Sequence, residues 1–246
     1  VFDSVAYKNV ISNGLVLDKN GNKMSKRLGN AVDPFGAIEK YGSDPLRWYM
    51  ITNSSPWDNL KFDEEGVVEV MRKFFGTLHN TYKFFAPYAN LDGFHYGEAE
   101  VPVAERPEID RWIISELNTL IKNVDACYAD YEPTRAGRLI NDFVNDNLSN
   151  WYVRLCRKRF WGAGYTEDKL AAYQTLYTCL ETVVKLMAPI APFYADKLYM
   201  DLVGATGRDT VDSVHLAQFP VCDESLVDKE LEMRMELAQK VSSMGL

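Results

Sequence analysis

From residue 64 onward the apolar positions of this 246-residue chain recur every three or four residues. Val67, Met71, Phe74, Leu78, Tyr82 and Phe85 form one stripe, which predicts a long helix with a single buried face. Ile109, Ile113, Leu117, Leu120, Ile121 and Val124 predict a second. Residues 90–107 between them hold Gly93, Gly97, Pro102 and Pro107 and read as a linker. Glu132-Pro133-Thr134 starts a third helix, which Gly162 ends. A fourth starts near Thr166 and runs past Leu176, Leu180 and Val184. Pro189 and Pro192 break it, since each removes a backbone donor and clashes with the preceding turn. The helix resumes toward Leu202 and stops at Gly204. Residues 211–220 read as irregular or briefly extended, and Asp223 or Asp228 caps a last helix. Long antiparallel helices joined by short loops predict a helical bundle.

Before residue 64 the pattern differs. Val5-Ala6-Tyr7 and Val10-Ile11 read as strand or near-strand, and Leu15-Val16-Leu17 as a short strand. That strand enters the basic run Lys23-Met24-Ser25-Lys26-Arg27-Leu28-Gly29-Asn30. Asp33-Pro34 is an N-cap followed by proline at the first helical position, and Gly42 closes that helix. Asp44-Pro45 repeats the device and opens a second helix, which Ser54-Ser55-Pro56 breaks. The predicted fold is mainly α: a helical bundle preceded by a small α/β segment carrying the lysine-rich loop. The predicted divisions are residues 1–60, the bundle over 61–220, and the start of a truncated helix over 221–246.

A hydrophobic fraction of 47% supplies a sizeable core. No apolar run approaches the roughly 20 residues of a membrane span, and Glu181 and Lys185 interrupt the best stretch. The chain starts at Val1 without a secretory pattern and stops at Leu246 within a helical one, so both ends are expected to be cut from something longer. Cys127, Cys156, Cys179 and Cys222 form no CxxC pair; they read as reduced thiols of a cytosolic protein, with no metal site. A net charge of −8 argues against a generic nucleic-acid binder, so any RNA contact needs a local basic face.

Two places offer such chemistry. In the basic loop, Lys23 and Lys26 flank the Ser25 hydroxyl and converge on one anion. Lysine is a compact, mobile cation. At about 4 Å and an effective dielectric of roughly 20, each Lys–phosphate pair has a Coulomb term near ~4 kcal/mol before desolvation. On the third helix, Asn150, Arg154, Arg157 and Trp161 are spaced by four, three and four residues and stack on one face. Amide, guanidinium and indole groups suit an exposed RNA loop. Two readings of that face stand: an RNA contact, or Trp161 packed in the bundle with the arginines in ion pairs. Lys158 and Arg159 point elsewhere, toward phosphate at most. Arg72, Asn80 and Lys83 lie off the first apolar stripe, as tRNA-backbone contacts or as a solvated face.

The basic loop resembles the signature loop of the class I aminoacyl-tRNA synthetases, usually written KMSKS, with Arg27 in place of the usual last serine. Asp33-Pro34 and Tyr41-Gly42-Ser43-Asp44-Pro45-Leu46-Arg47 match the residues just beyond that loop in the branched-aliphatic subgroup. Residues 147–154, 157–161, 187–193 and 213–216 look most like the isoleucine-specific members, and the valine-specific ones are the near alternative. The resemblance implies a protein that activates isoleucine with ATP and Mg2+, releases pyrophosphate, and transfers isoleucine to tRNA(Ile). It assigns Lys23, Met24, Ser25 and Lys26 to the ATP phosphates, with Lys23 and Lys26 stabilising the leaving pyrophosphate and Met24 anchoring the loop. It assigns the bundle to the tRNA(Ile) anticodon arm, in a cytoplasmic monomer. The histidine pair expected elsewhere in such active sites is not formed by His79, His95 or His215. The chain alone is therefore expected to be inactive and to bind no cofactor by itself. A non-catalytic tRNA-binding helical module is the alternative from a different class.

Overall fold

The computed structural model describes residues 3–244; Val1, Phe2, Gly245 and Leu246 lie outside them. Two strands, β1 (Val16–Leu17) and β2 (Leu60–Lys61), pair in parallel with Leu17 opposite Lys61. Between them run α1 (Pro34–Tyr41) and α2 (Ser43–Asn53). The Asp33 carboxylate accepts from Phe35 N and Gly36 N, the predicted cap. A small apolar cluster of Ala37, Tyr41, Leu46, Tyr49, Phe62 and Val67 seals this segment.

The helical part keeps the predicted periods. Helix α3 (Glu64–Val70) passes through a π-helical turn, Met71–Phe75, into α4 (Gly76–Asp92). After the linker come α5 (Glu108–Ala129) and α6 (Pro133–Asp142). Helix α6 continues through an 11-residue π-helical segment, Phe143–Val153, into α7 (Arg154–Trp161). The last three helices are α8 (Glu167–Met187), α9 (Pro192–Thr206) and α10 (Lys229–Met244). Helix α8 is apolar on nearly every side, with Ala172, Tyr173, Leu176, Tyr177, Cys179, Leu180, Val183 and Val184 all buried. That composition makes it the central helix, around which α4, α5, α7 and α9 pack.

Helix α2 belongs to both halves. Leu46 and Tyr49 face the small cluster, while Trp48 stacks on Phe74 of the main core at 4.1 Å. Helix α6 seats on the carboxyl end of α2. The Thr134 hydroxyl donates to Ile51 O (2.7 Å), and the Arg138 guanidinium donates to Thr52 O (2.8 Å) and Asn53 O (3.0 Å). Gly137 permits this approach, since a Cβ there would stand 2.6 Å from Thr52 Cγ2.

Several predicted details are corrected. Val5, Tyr7 and Val10 are each about 70% exposed and form no strand, because no neighbouring edge offers backbone partners among the described residues. Asp44 does not cap its own helix. It is buried, and its carboxylate accepts from Tyr194 N (2.6 Å) at the amino end of α9, 150 residues away. Burial pushes Asp44 above the usual carboxylate range, against the backbone donors that lower it. Helix α9 runs through Gly204 to Thr206 and ends at Gly207, the glycine that takes the left-handed conformation (φ 65°). Of the two offered caps, Asp228 caps α10 through Leu231 N (2.9 Å), while Asp223 caps a 3-10 turn, Glu224–Leu226. All four cysteines are free; Cys127, Cys156 and Cys179 are buried and Cys222 half-buried.

Candidate phosphate loop and nucleic-acid interface

The basic loop is held from inside by two residues whose spacing gives no signal, Asp18 and Asn30. Asp18 opens the turn that ends at Gly21, and Leu17 and Lys23 face each other across it. The Asp18 carboxylate accepts from Asn30 Nδ2 (2.9 Å), Asn22 N (2.8 Å) and Asn20 N (3.0 Å). Those donors, Asn30 first, hold its carboxyl below the usual range. Asn30 in turn accepts from Ser25 N (2.8 Å) and donates to Lys23 O (3.3 Å), so one amide pins the backbone on both sides of Met24. Ser25 Oγ accepts from Arg27 N (3.2 Å) and starts a 3-10 turn, Lys26–Leu28, which Gly29 ends with φ 67°.

Local chemistry sorts the loop's side chains. Met24 is half-buried against the small apolar cluster. Ser25 is half-buried, with its hydroxyl proton free to donate. Lys23, Lys26 and Arg27 are exposed and form no ion pair among the described residues. The Asp18 carboxylate at the loop's base binds Asn30 and backbone amides and makes no ion pair with the loop's cations, whose outward charge suits a polyanion. No group of three His, Cys, Asp or Glu able to hold a metal occurs among the described residues.

The second site stands on α7, whose inner side is anchored. Asp110 of α5 is fully buried. Arg159 forks onto it, Nη1–Oδ1 2.6 Å and Nη2–Oδ2 2.8 Å, while the buried Tyr152 hydroxyl donates to the same Oδ1 (2.7 Å). Arg159 also reaches Asp168 Oδ2 (3.0 Å) and its carbonyl (2.9 Å). Arg159 is thus a structural pin and not a phosphate contact. Cys156 and Phe160 complete the buried side, and burial pushes the Cys156 thiol up to about 11.

That anchoring turns the opposite side outward. Arg154, Arg157, Lys158 and Trp161 are exposed, Trp161 by 55%, and the three cations have no ion pair among the described residues. Trp161 is therefore not packed in the bundle. Asn150 is exposed as well but lies in the π-helical segment. Its wider i→i+5 bonding offsets the four-residue stack expected between Asn150 and Arg154. Arg72 and Lys83 are exposed on other elements. Phe84 meets Phe160 edge-on at 5.1 Å, so the α4 turn carrying Lys83 lies beside α7.

A mainly helical bundle with an outward cationic-aromatic face thus follows a braced lysine loop, and each part matches a known family. Residues 110–245 match the family described as the anticodon-binding domain of tRNA ligase, and residues 1–63 match tRNA synthetases class I (I, L, M and V). The chain belongs to the tRNA-ligase anticodon-binding family, with a class I synthetase segment ahead of it. More particularly, it is 78% identical over all 246 residues to an isoleucine--tRNA ligase of Bacteroides fragilis. It is 72% identical over 241 residues to that of Porphyromonas gingivalis and 48% over 245 residues to that of Dehalococcoides mccartyi. The chain spans about a fifth of the length of these curated relatives (22%, 21% and 24%). The fold is shared with the crystal structure of the ternary complex of Agrobacterium radiobacter K84 agnB2 LeuRS-tRNA-LeuAMS. That match has a TM-score of 0.66 and 23% identity, and covers 88% of this chain and 24% of that one.

Proposed function

We propose that this chain is the part of an isoleucine–tRNA ligase that carries the ATP-phosphate loop and the bundle for the tRNA(Ile) anticodon arm. The whole protein joins isoleucine to AMP, releases pyrophosphate, and passes isoleucine to tRNA(Ile). Lys23 and Lys26 meet the negative charge that builds on the leaving pyrophosphate, Ser25 donates to a phosphate oxygen, and Met24 holds the loop to its cluster. The observation that carries this reading is the Asp18–Asn30 brace, which fixes the loop's backbone while leaving both lysines exposed and unpaired among the described residues. Donors fixed before reaction cost little reorganisation when charge develops. Mg2+ would accompany ATP, held mainly by the phosphates and water, and Lys23 and Lys26 would add their charge to its own. Residues 1–60 form the end of the catalytic part and residues 61–220 the anticodon-binding bundle. The protein works as a monomer, in the cytoplasm, the compartment in keeping with three buried free thiols. The chain by itself is inactive, since its three histidines do not form the expected pair.

The test is single-turnover adenylate formation by full-length enzyme with saturating ATP and isoleucine. Lys23→Ala and Lys26→Ala should each slow it by about 10²- to 10³-fold. Unchanged rates in both variants would remove the assigned role.

A further inference from the structure

We propose that Lys61, far from the loop in sequence, is its third phosphate-binding cation. Three segments meet in register at one residue: Leu17 pairs with Lys61 on one side and with Lys23 on the other. Directly paired residues project to the same face of a sheet. Lys61 and Lys23 therefore flank Leu17 on one face, and both are exposed. The Lys61 stem lies over the turn that leads into the loop. Its Cε is 3.2 Å, and its Nζ 3.8 Å, from where a Cβ would stand on Gly21. Gly21 has φ 86° and no side chain, so the turn leaves room for that stem. The Lys61 ammonium has no ion pair among the described residues. Asp18 and Asp63 bind amide N–H groups rather than Lys61: Asp18 holds the loop, and Asp63 caps α3 through Glu65 N (3.1 Å). The backbone of Lys61 is fixed by β2 and by the Tyr49 hydroxyl, which donates to Lys61 O (3.1 Å).

This arrangement gives the triphosphate cations from two segments: Lys23 and Lys26 on the loop, and Lys61 on β2 beside it. The inference rests on the reading of Lys23 and Lys26 as phosphate contacts. Lys61 is solvated, so its effect should be smaller and more salt-sensitive than that of a buried donor.

The experiment uses full-length enzyme, Lys61→Met, Lys61→Arg and Lys23→Ala, with adenylate formation from ATP measured at several KCl concentrations and folding checked by thermal melting. Lys61→Met keeps the stem over Gly21 and removes the charge. It should melt with the parent, form adenylate about tenfold more slowly at low salt, and show a flatter salt dependence. Lys61→Arg should recover most of the rate. A parent-like rate and salt slope for Lys61→Met, with Lys23→Ala slow, would overturn the inference and leave the reading of the loop intact. Parent-like rates for both Lys23→Ala and Lys61→Met would overturn both.

Discussion

Truncating Asp110 to alanine should be among the most damaging single changes to the bundle, and its cost can be worked from the fork beneath α7. The Asp110 side chain is fully buried, and that of Arg159 is 15% exposed. Removing one partner of a buried pair typically costs about 3 to 5 kcal/mol. The Tyr152 hydroxyl, also fully buried, would lose its acceptor, a further loss of about 1 to 3 kcal/mol. Arg159 keeps Asp168 and some solvent, which places the total near the lower end, about 4 kcal/mol. At about 2 to 4 °C per kcal/mol for a chain of this size, Tm should fall by about 8 to 16 °C. Urea titration should show the same loss as a shift in midpoint at constant slope. Tyr152→Phe should cost only about 1 kcal/mol. The double variant Asp110→Leu/Arg159→Met should regain much of the loss, since it leaves no orphaned charge. A cost below about 1 kcal/mol for Asp110→Ala, or a double variant no more stable than the single, would refute the pinning of α7 by this fork.

Two further outcomes concern α10 and the joint between the halves. Burial and the neighbouring Glu232 push Glu116 up to about 7, against the Trp112 indole N–H that donates to it (3.2 Å). Between the ordinary glutamate value and about 7, the folded chain keeps a proton that the unfolded chain has released, so stability falls as pH rises through that window. Glu116→Gln keeps the acceptor and removes the charge. It should stabilise by about 1 to 2 kcal/mol at about pH 8 and by almost nothing at about pH 4.5; equal effects at both pH values in thermal melts would contradict this. Gly137→Ala brings a Cβ to 2.6 Å from Thr52 Cγ2 and should destabilise by about 1 to 3 kcal/mol. A parent-like melt for that variant would show that α6 seats on α2 less tightly than the contact implies.

The helices were legible because local signals and tertiary burial agree. Asp33-Pro34 and Thr166 cap where their side chains can reach free N–H groups, and the stripe from Val67 to Phe85 lies on the core side or half-buried beside it. Two of the misreadings share one cause, a partner distant in the chain. Asp44 looks like a local cap but serves α9, and Arg159 looks like a surface cation but closes on Asp110 across 49 residues. Val5 to Ile11 has strand-like composition, yet a strand requires an edge to pair with, and composition is silent on that. The π-helical segments are equally silent, since their bonding pattern uses the same residue types as an α-helix. In the loop, the two lysines announced themselves by spacing. Asn30 was visible only as the last residue of the basic run, and its role emerges from the bonds to Asp18 and Ser25.

We propose that, within the bundle, the outward face of α7 meets the anticodon arm of an isoleucine tRNA. Equilibrium binding of full-length Arg154→Ala and Arg157→Ala to tRNA(Ile) and to an anticodon-substituted tRNA, at two salt concentrations, tests it most directly. Loss of a base-reading contact should cost about 1 to 3 kcal/mol on the cognate tRNA and shrink the preference over the substituted one. Loss of a phosphate contact alone should weaken both tRNAs alike and lower the salt slope by about one. Parent-like Kd values for both variants on the cognate tRNA, with the melting curve intact, would contradict this and leave Arg72 and Lys83, on other elements, as the cations to examine.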